Sequence, residues 1–135
     1  MKNVKKVGLY DQNIFLYYDE TDFCLRAYRK GHKIYIIPKL QVYHKGGSSV
    51  NIGSEIEIEI NKHWHFMWSK FYYFKKNYSF FFAIKKTFFD LFMISSKFMI
   101  FFFINRRKKL IYYSQLCGLI NSYLGKKSYK RLNIK

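Results

Sequence analysis

Three acidic side chains, Asp19, Glu20 and Asp22, fall within four consecutive residues, and their types and spacing suit chemistry better than any other group in this chain. A carboxylate within hydrogen-bond reach of a hydroxyl can act as a general base, an effect worth roughly 10² to 10⁴ in rate. A lone histidine, His44, follows further along the chain beside small residues. These groups together could form one half of an active site if the fold brings them to one place.

The element that must position the acids is predicted to be a short helix ending near Lys30. Asp19 suits its N-cap, where a carboxylate accepts hydrogen bonds from the free N–H groups of the first turn. Asp22 and Arg26 are spaced four residues apart, which predicts an ion pair on one helix face. Gly31 suits the left-handed residue that follows a helix C-terminus. The acids would therefore lie at a helix N-terminus.

The segments that follow predict strands. Residues 32–38 are apolar and rich in β-branched side chains, which favours a buried strand. A second extended stretch would place Leu40, Val42 and His44 on one face, just before a turn at glycines. Residues 54–60 alternate acid and isoleucine, so a half-exposed strand, a loop and a first helical turn all remain open there.

This order of elements resembles the acceptor-side half of family 2 glycosyltransferases of the GT-A fold, especially the bacterial rhamnosyltransferase-like branch. That family has a glycine-aromatic-aspartate opening, a paired-acid helix containing Leu and Arg, a glycine, a strand and a histidine near small residues. An aromatic and basic segment ending in Asn and a recurrent C-terminal segment follow. The matching positions are, in chain order, 7–11, 19–26, Gly31, 34–38, His44 with 46–49, 72–77 and 118–126.

The resemblance implies an α/β fold, in detail an α+β fragment of a GT-A domain that carries C-terminal amphipathic helices. It implies transfer of a sugar from a nucleotide sugar to a cell-envelope polysaccharide or a lipid-linked acceptor. Glu20 would be the general base, and Asp19 stays a candidate because the family more often has Asp at the second position of the pair. His44 would help to bind a divalent metal, Mg or Mn, that neutralises the leaving diphosphate. The residues implied in substrate binding are Asp22, Arg26, Gly46, Gly47 and Ser48.

The family's nucleotide-binding half ends in a metal-binding Asp-x-Asp motif and would lie N-terminal to residue 7. The four aspartates, Asp11, Asp19, Asp22 and Asp90, include no two separated by one position. Glu20 and Asp22 have that spacing but belong to the paired-acid motif. We therefore predict a C-terminal fragment, either a truncated or frameshifted gene product or one piece of a split enzyme, that is inactive alone.

Each of these assignments has a structural alternative. The three acids also suit a helix N-terminus because of the helix dipole alone. His44 could be a structural or surface histidine, and residues 46–49 could be an ordinary turn. A zinc site is disfavoured because neither Cys24 nor Cys117 has a partner at ligand spacing.

Charge is distributed unevenly along the chain. Residues 1–60 carry a net charge of +2 and residues 61–135 a net charge of +15, out of a total of +17. We predict two regions on this basis: 1–60 as the C-terminal half of the catalytic domain, and 61–135 as a basic, aromatic helical region. Two unpaired cysteines and an N-terminus without an apolar segment predict a reduced, cytosolic setting.

Aromatic and aliphatic residues, interrupted by lysines, dominate residues 64–104. Asp90 and Lys97 would each cost roughly 2.5 to 3.5 kcal/mol at the bilayer centre, and no unbroken apolar run reaches the length of a span. On a helix, Lys86, Asp90 and Lys97 fall within about 40° of one another and form a narrow polar stripe. Basic clusters at both ends suit a helix lying in the plane of an anionic leaflet.

We therefore expect a cytoplasmic protein bound peripherally to the inner face of the cell membrane. One alternative is a helix that packs only on the rest of its own protein. Another is a non-catalytic basic membrane-surface binding protein. Nucleic-acid binding draws on the same basic and aromatic mixture but is disfavoured, because no recognised nucleic-acid motif accompanies it.

Overall fold

A computed structural model describes residues 6–43 and 55–130, and within those residues the regular structure is entirely helical. The helices are α1, Asp19–Arg29; α2, Glu55–Asn77; α3, Phe80–Ile104; and α4, Arg106–Tyr123. The predicted α/β fold, and with it the GT-A architecture, is therefore wrong, since no strand is present in the described part of the chain. The boundary predicted at residue 60 falls inside α2, and the division into two regions stays a prediction.

The predicted strand at residues 32–38 is the clearest error. This segment forms no strand pairing, and its apolar side chains face solvent, with Ile36 91% exposed. β-branched residues favour a strand only where a neighbouring strand and a core receive them, and the described residues offer neither. Helix α2 begins at Glu55, which decides the open alternatives for the acid and isoleucine repeat in favour of a helix.

Helix α1 confirms the local signals, with one correction. Arg26 Nε donates to Asp22 at 2.8 Å, and Gly31 has a φ of +78° just beyond the helix end. The N-cap position is held by Tyr18, which makes no side-chain cap bond, and Asp19 is the first helical residue. Asp19 was therefore wrongly predicted as the N-cap.

Helices α2 and α4 run parallel and touch along a line of small residues. Ser114, Gly118 and Ser122 are spaced four apart and so lie on one face of α4. The Ser114 hydroxyl donates to the Ile60 carbonyl at 2.6 Å, and the Ser122 hydroxyl donates to the Trp68 carbonyl at 2.9 Å. Between them Gly118 lies directly against the α2 backbone. Small side chains allow this close approach, in the way that they do in tightly packed helix pairs.

Helix α3 runs antiparallel to both neighbours and supplies one wall of the core. The core consists of Met67 and Phe71 from α2, Ala83 and Ile94 from α3, and Leu119 from α4. Polar contacts also cross the bundle: Lys70 pairs with Asp90 at 2.6 Å, and the hydroxyls of Thr87 and Tyr123 lie 2.8 Å apart.

Short capped turns enforce this antiparallel order. The Ser79 side chain accepts from the Phe82 N–H at 3.1 Å at the start of α3, and the Asn105 side chain accepts from the Lys108 N–H at 2.9 Å at the start of α4. Ser and Asn are favoured N-caps because their side-chain oxygens satisfy otherwise free amide groups. Two residues therefore separate α2 from α3, and one residue separates α3 from α4.

Candidate functional site

The two acids predicted to be catalytic lie at the N-terminus of α1. Asp19 is half-buried and Glu20 is exposed. Neither side chain forms a hydrogen bond or ion pair with any other residue that the structure describes. A helix N-terminus carries partial positive charge and free amide groups, so acidic side chains are favoured at this position, and both remain accessible to a ligand.

The backbone just before these acids is strained. Tyr17 and Tyr18 both have a φ of +64°, a left-handed conformation that bulky residues rarely adopt. Ring contacts hold the two tyrosines there: Tyr17 meets Phe66 edge-on at 5.5 Å, and Tyr18 lies 5.3 Å from Tyr73. Strain of this kind costs on the order of 1–3 kcal/mol and tends to collect at functional sites. Here it fixes the direction in which the chain enters α1.

The third acid, Asp22, anchors α1 to the rest of the protein. Its side chain is 0% exposed, and it accepts hydrogen bonds from Arg26, from Lys76 Nζ at 2.9 Å and from Asn77 Nδ2 at 2.9 Å. Burial alone would raise the pKa of Asp22, but the hydrogen bonds from Asn77, Lys76 and Arg26 outweigh it and lower the pKa. Asp22 therefore stays ionised and ties the first turn of α1 to the last turn of α2.

Arg26 extends the same anchor to the N-terminal segment. One guanidinium nitrogen donates to the Val7 carbonyl at 3.0 Å, and the other donates to the Leu9 carbonyl at 2.9 Å. Because the planar guanidinium presents donors in a fixed fork, it holds Asp22 and these carbonyls at the same time. The donors of Arg26 and the oxygens of Asp22 are thus used within the chain.

Asp11 is a second, partly buried acid in this anchor, and the partners that define its role include residues far away in the sequence. Its carboxylate accepts from Lys76 at 2.8 Å, from Tyr72 at 3.1 Å and from the Asn13 amide at 2.9 Å. Burial works to raise the pKa of Asp11, yet the hydrogen bonds from Lys76 and Asn13 prevail and hold it at about 2. Burial and the Asp11 charge raise the pKa of Tyr72 to about 12, so the phenol keeps its proton.

The remaining predicted site residues, His44, Gly46, Gly47 and Ser48, lie outside the described residues. Among residues 6–43 and 55–130, no group of three or more His, Cys, Asp or Glu side chains is arranged to hold a metal ion. The described residues therefore bring Asp19 and Glu20 together on an anchored helix. They neither test nor replace the roles predicted for the other four.

The outer face of α3 is an extended apolar surface of the described residues. One side of the helix packs on α2 and α4, whereas the opposite side presents aromatic rings to solvent, with Phe88 66% and Phe103 91% exposed. Exposed large residues on this outer face are Phe81, Phe88, Phe89, Phe92, Met99, Ile100 and Phe103. An apolar patch of this extent marks an interaction surface with a membrane or a partner. We call this set the α3 outer face.

Helix α3 is also, by length and composition, apolar enough to cross a membrane, and only 11% of its most apolar 18-residue window is buried. Of the predicted polar stripe, Asp90 turns inward and pairs with Lys70, whereas Lys86 and Lys97 remain exposed. Basic residues flank the helix, and Lys108 and Lys109 lie over the rings of Phe101 and Phe102 at 4.5 and 4.7 Å.

A small cavity of about 140 Å³ lies where α2, the end of α4 and the N-terminal segment meet. Its lining includes Tyr72 and three lysines, Lys75, Lys126 and Lys127. The lysines come from positions about fifty residues apart, so sequence inspection alone gave no reason to group them. Neither Asp19 nor Glu20 is among the residues that line this cavity.

Comparison of the chain with protein-family models, with curated proteins and with solved structures found no match.

Proposed function

We propose that this chain is the acceptor-side part of a sugar transferase that works on the cytoplasmic face of a membrane, where it passes a sugar from a nucleotide sugar to a lipid-linked or cell-envelope polysaccharide acceptor. The observation that carries the proposal is the position of Asp19 and Glu20. They form an accessible carboxylate pair on a helix that Asp22 fastens to the bundle. A general base has to be both held in place and open to its substrate.

In this proposal Glu20 takes the proton from the attacking acceptor hydroxyl, and Asp19 orients the hydroxyl or substitutes as base. A divalent metal, Mg or Mn, would neutralise the diphosphate that leaves from the donor, and His44 is the proposed ligand that this chain contributes to it. Asp22 and Arg26, proposed earlier as substrate-binding residues, support the site by holding α1. The loop at Gly46, Gly47 and Ser48 is proposed to contact the donor phosphates.

The experiment is a transfer assay with a matched pair of variants. Membranes from cells that produce the chain together with a separately expressed nucleotide-binding half are supplied with a panel of radiolabelled nucleotide sugars and Mg or Mn, and label is counted in the lipid and polysaccharide fractions. Glu20→Gln should lower transfer by about 10² to 10⁴. The control, Glu55→Gln, removes an equally exposed glutamate from another helix N-terminus and should leave the rate unchanged. Equal transfer by wild type and Glu20→Gln would remove the base assignment.

A second candidate function, a non-catalytic basic protein of the membrane surface, is favoured by the α3 outer face. We propose that this face lies in the plane of an anionic leaflet. The packing of α2 and α4 along α3 supports this orientation over a span, because a crossing α3 would carry the Lys70–Asp90 ion pair and two more polar helices to bilayer depth. Buried charges at that depth are costly, whereas an in-plane helix buries only its apolar side.

Co-sedimentation with anionic vesicles tests this docking. Replacing Phe88 and Phe92 together by serine should weaken binding by about tenfold or more, since burying one such side chain is worth roughly 1.5–3 kcal/mol. The matched control replaces two exposed apolar residues outside α3, Ile36 and Val42, by serine and should bind like wild type. Raising the salt concentration should weaken vesicle binding by the wild type and by both variants. A chain that stays in the supernatant at low salt would refute docking and with it both functions at a membrane.

A further inference from the structure

The cavity beside the end of α4 has the composition of a phosphate site. Three lysines, Lys75, Lys126 and Lys127, line a volume of about 140 Å³, roughly ten times the volume that admits one water molecule. Each lysine is exposed, so its side chain is free to turn toward a ligand. A compact cluster of ammonium donors is the arrangement that binds phosphate as a concentrated negative charge.

The groups that might neutralise these lysines are engaged elsewhere. Asp11 is the acid that reaches this region, through Tyr72, and its carboxylate already accepts from Lys76, Tyr72 and Asn13. The carbonyls at the C-terminus of α4 are capped as well: the Lys126 N–H donates to the Asn121 carbonyl at 2.9 Å, and the Gly125 N–H donates to the Ser122 carbonyl at 3.1 Å. None of the three lysines forms an ion pair with a carboxylate of the described residues.

The rest of the lining suits a polar headgroup. Tyr72 stacks on Trp68 with 4.9 Å between ring centroids and an interplanar angle of 17°, which gives the cavity a rigid aromatic wall. The Trp68 indole N–H donates to the Lys126 carbonyl at 2.9 Å and so fixes the backbone that carries two of the lysines. Gly125, with a φ of +70°, turns the chain out of α4 without a side chain that would fill the space.

The cavity also adjoins the start of the apolar helix. Lys75 Nζ lies 5.9 Å from the centroid of the Phe80 ring, and the next residue, Phe81, begins the α3 outer face. On the other rim Leu124, next to Gly125, is exposed. Lys75 therefore connects the lining of the cavity to the start of the α3 outer face.

We propose that this cavity binds a phosphate monoester or diphosphate group, carried by a lipid of the leaflet or by a soluble phosphate. The lipid source rests on the proposed membrane docking, whereas binding of the free anion does not. The ligand would be recognised by the charge density of a doubly ionised phosphate, which a singly charged phosphodiester lacks.

Two measurements on the whole chain test the site. Calorimetric titration with inorganic diphosphate measures the free anion, and co-sedimentation compares phosphatidylcholine vesicles that contain either phosphatidic acid or phosphatidylserine at matched surface charge. The variant Lys126→Gln/Lys127→Gln should lose about tenfold or more in diphosphate affinity, because charge-assisted bonds are about twice as strong as neutral ones. The control, Lys62→Gln/Lys97→Gln, removes two exposed lysines remote from the cavity and should change affinity less than about threefold.

The outcomes separate the two proposals. A preference for phosphatidic acid that disappears in the cavity variant supports the site with a lipid source. Diphosphate binding without that preference supports the site with a soluble source, even if vesicle docking fails. Equal binding of both vesicle types together with no diphosphate binding overturns the phosphate site while leaving membrane docking intact.

Discussion

Replacing Gly118 by alanine provides a sharp test of how α2 and α4 fit together, because two physical effects predict changes of opposite sign in the free energy of unfolding. Alanine is a better helix former than glycine by about 1 kcal/mol, so local propensity alone predicts a more stable protein. The packing predicts the reverse. A methyl group on Gly118 would clash with the Trp64 carbonyl oxygen.

The size of the loss follows from what has to move. The atoms in the way belong to the α2 backbone, with the Trp64 carbonyl carbon at 3.0 Å and its Cα at 3.2 Å, so no side chain can rotate to relieve the clash. The two helices must separate by about 1 Å, an overpacking cost of roughly 1–3 kcal/mol. The same separation stretches the Ser114–Ile60 and Ser122–Trp68 bonds, worth about 1 kcal/mol each. After the gain from the higher helix propensity of alanine is subtracted, the free energy of unfolding should fall by about 2–4 kcal/mol.

Urea unfolding followed by tryptophan fluorescence is the appropriate measurement, because both tryptophans of the chain, Trp64 and Trp68, lie at this contact. Ile120→Ala, at an exposed position two residues away on α4, should change the free energy of unfolding by no more than about 0.5 kcal/mol. A Gly118→Ala protein as stable as wild type, or more stable, would show that α2 and α4 do not approach this closely.

The other predictions concern the anchor of α1 and the polar contact inside the bundle. Asp22→Ala removes the carboxylate that pairs with Arg26 and Lys76, so thermal unfolding should show a free energy of unfolding lower by about 3 kcal/mol. The control Glu20→Ala, at an exposed position, should change it by no more than about 0.5 kcal/mol. Because the pKa of Asp11 falls from 3.8 to about 2 on folding, its contribution is complete above pH 4 and is lost as the pH falls toward 2. Urea unfolding at several pH values should register about 1–2 kcal/mol from Asp11 after allowance for solvent screening, so the loss of stability at low pH should be smaller by that amount in Asp11→Asn, where the lowered pKa of Asp22 still contributes. Thr87→Val should lower the free energy of unfolding by about 1–2 kcal/mol, because it removes the hydroxyl that bonds to the Tyr123 hydroxyl. Adding Tyr123→Phe to this variant should lower the free energy of unfolding little further.

Sequence inspection succeeded where the deciding interactions are local. The limits of α1 follow from the Asp22–Arg26 spacing and from Gly31, all within a dozen residues. The basic, aromatic stretch was correctly expected to be helical for the same reason. The strand at residues 32–38 was predicted from composition, but a strand is stabilised by its partner, and no partner segment is present among the described residues.

The parts that could not be predicted depend on contacts between distant positions. Lys76 meets Asp11 across 65 residues and Asp22 across 54, and no short-range pattern selects that lysine from the 25 Lys and Arg residues of the chain. Helix geometry predicts that Asp90 shares a narrow polar stripe with Lys86 and Lys97, but it does not predict that Asp90 faces α2, where Lys70 pairs with it. Pairing rules assign a charge to a helix face, but only the packing decides whether that face meets water.

The anchor of α1 also links the two proposed activities physically. Arg29 donates to the Asn77 carbonyl at 2.7 Å, and its guanidinium lies 5.3 Å from the Tyr78 ring, so α1 is bonded to the turn from which α3 starts. An α3 lying on a leaflet would therefore hold the carboxylate of Glu20 at a set height above the lipid headgroups. Phe88→Ser/Phe92→Ser, which leaves every contact of α1 intact, should then lower transfer to a lipid-linked acceptor but not to a soluble acceptor analogue, whereas Glu20→Gln should lower both. Equal losses with both acceptors in the phenylalanine variant would mean that docking does not position the base.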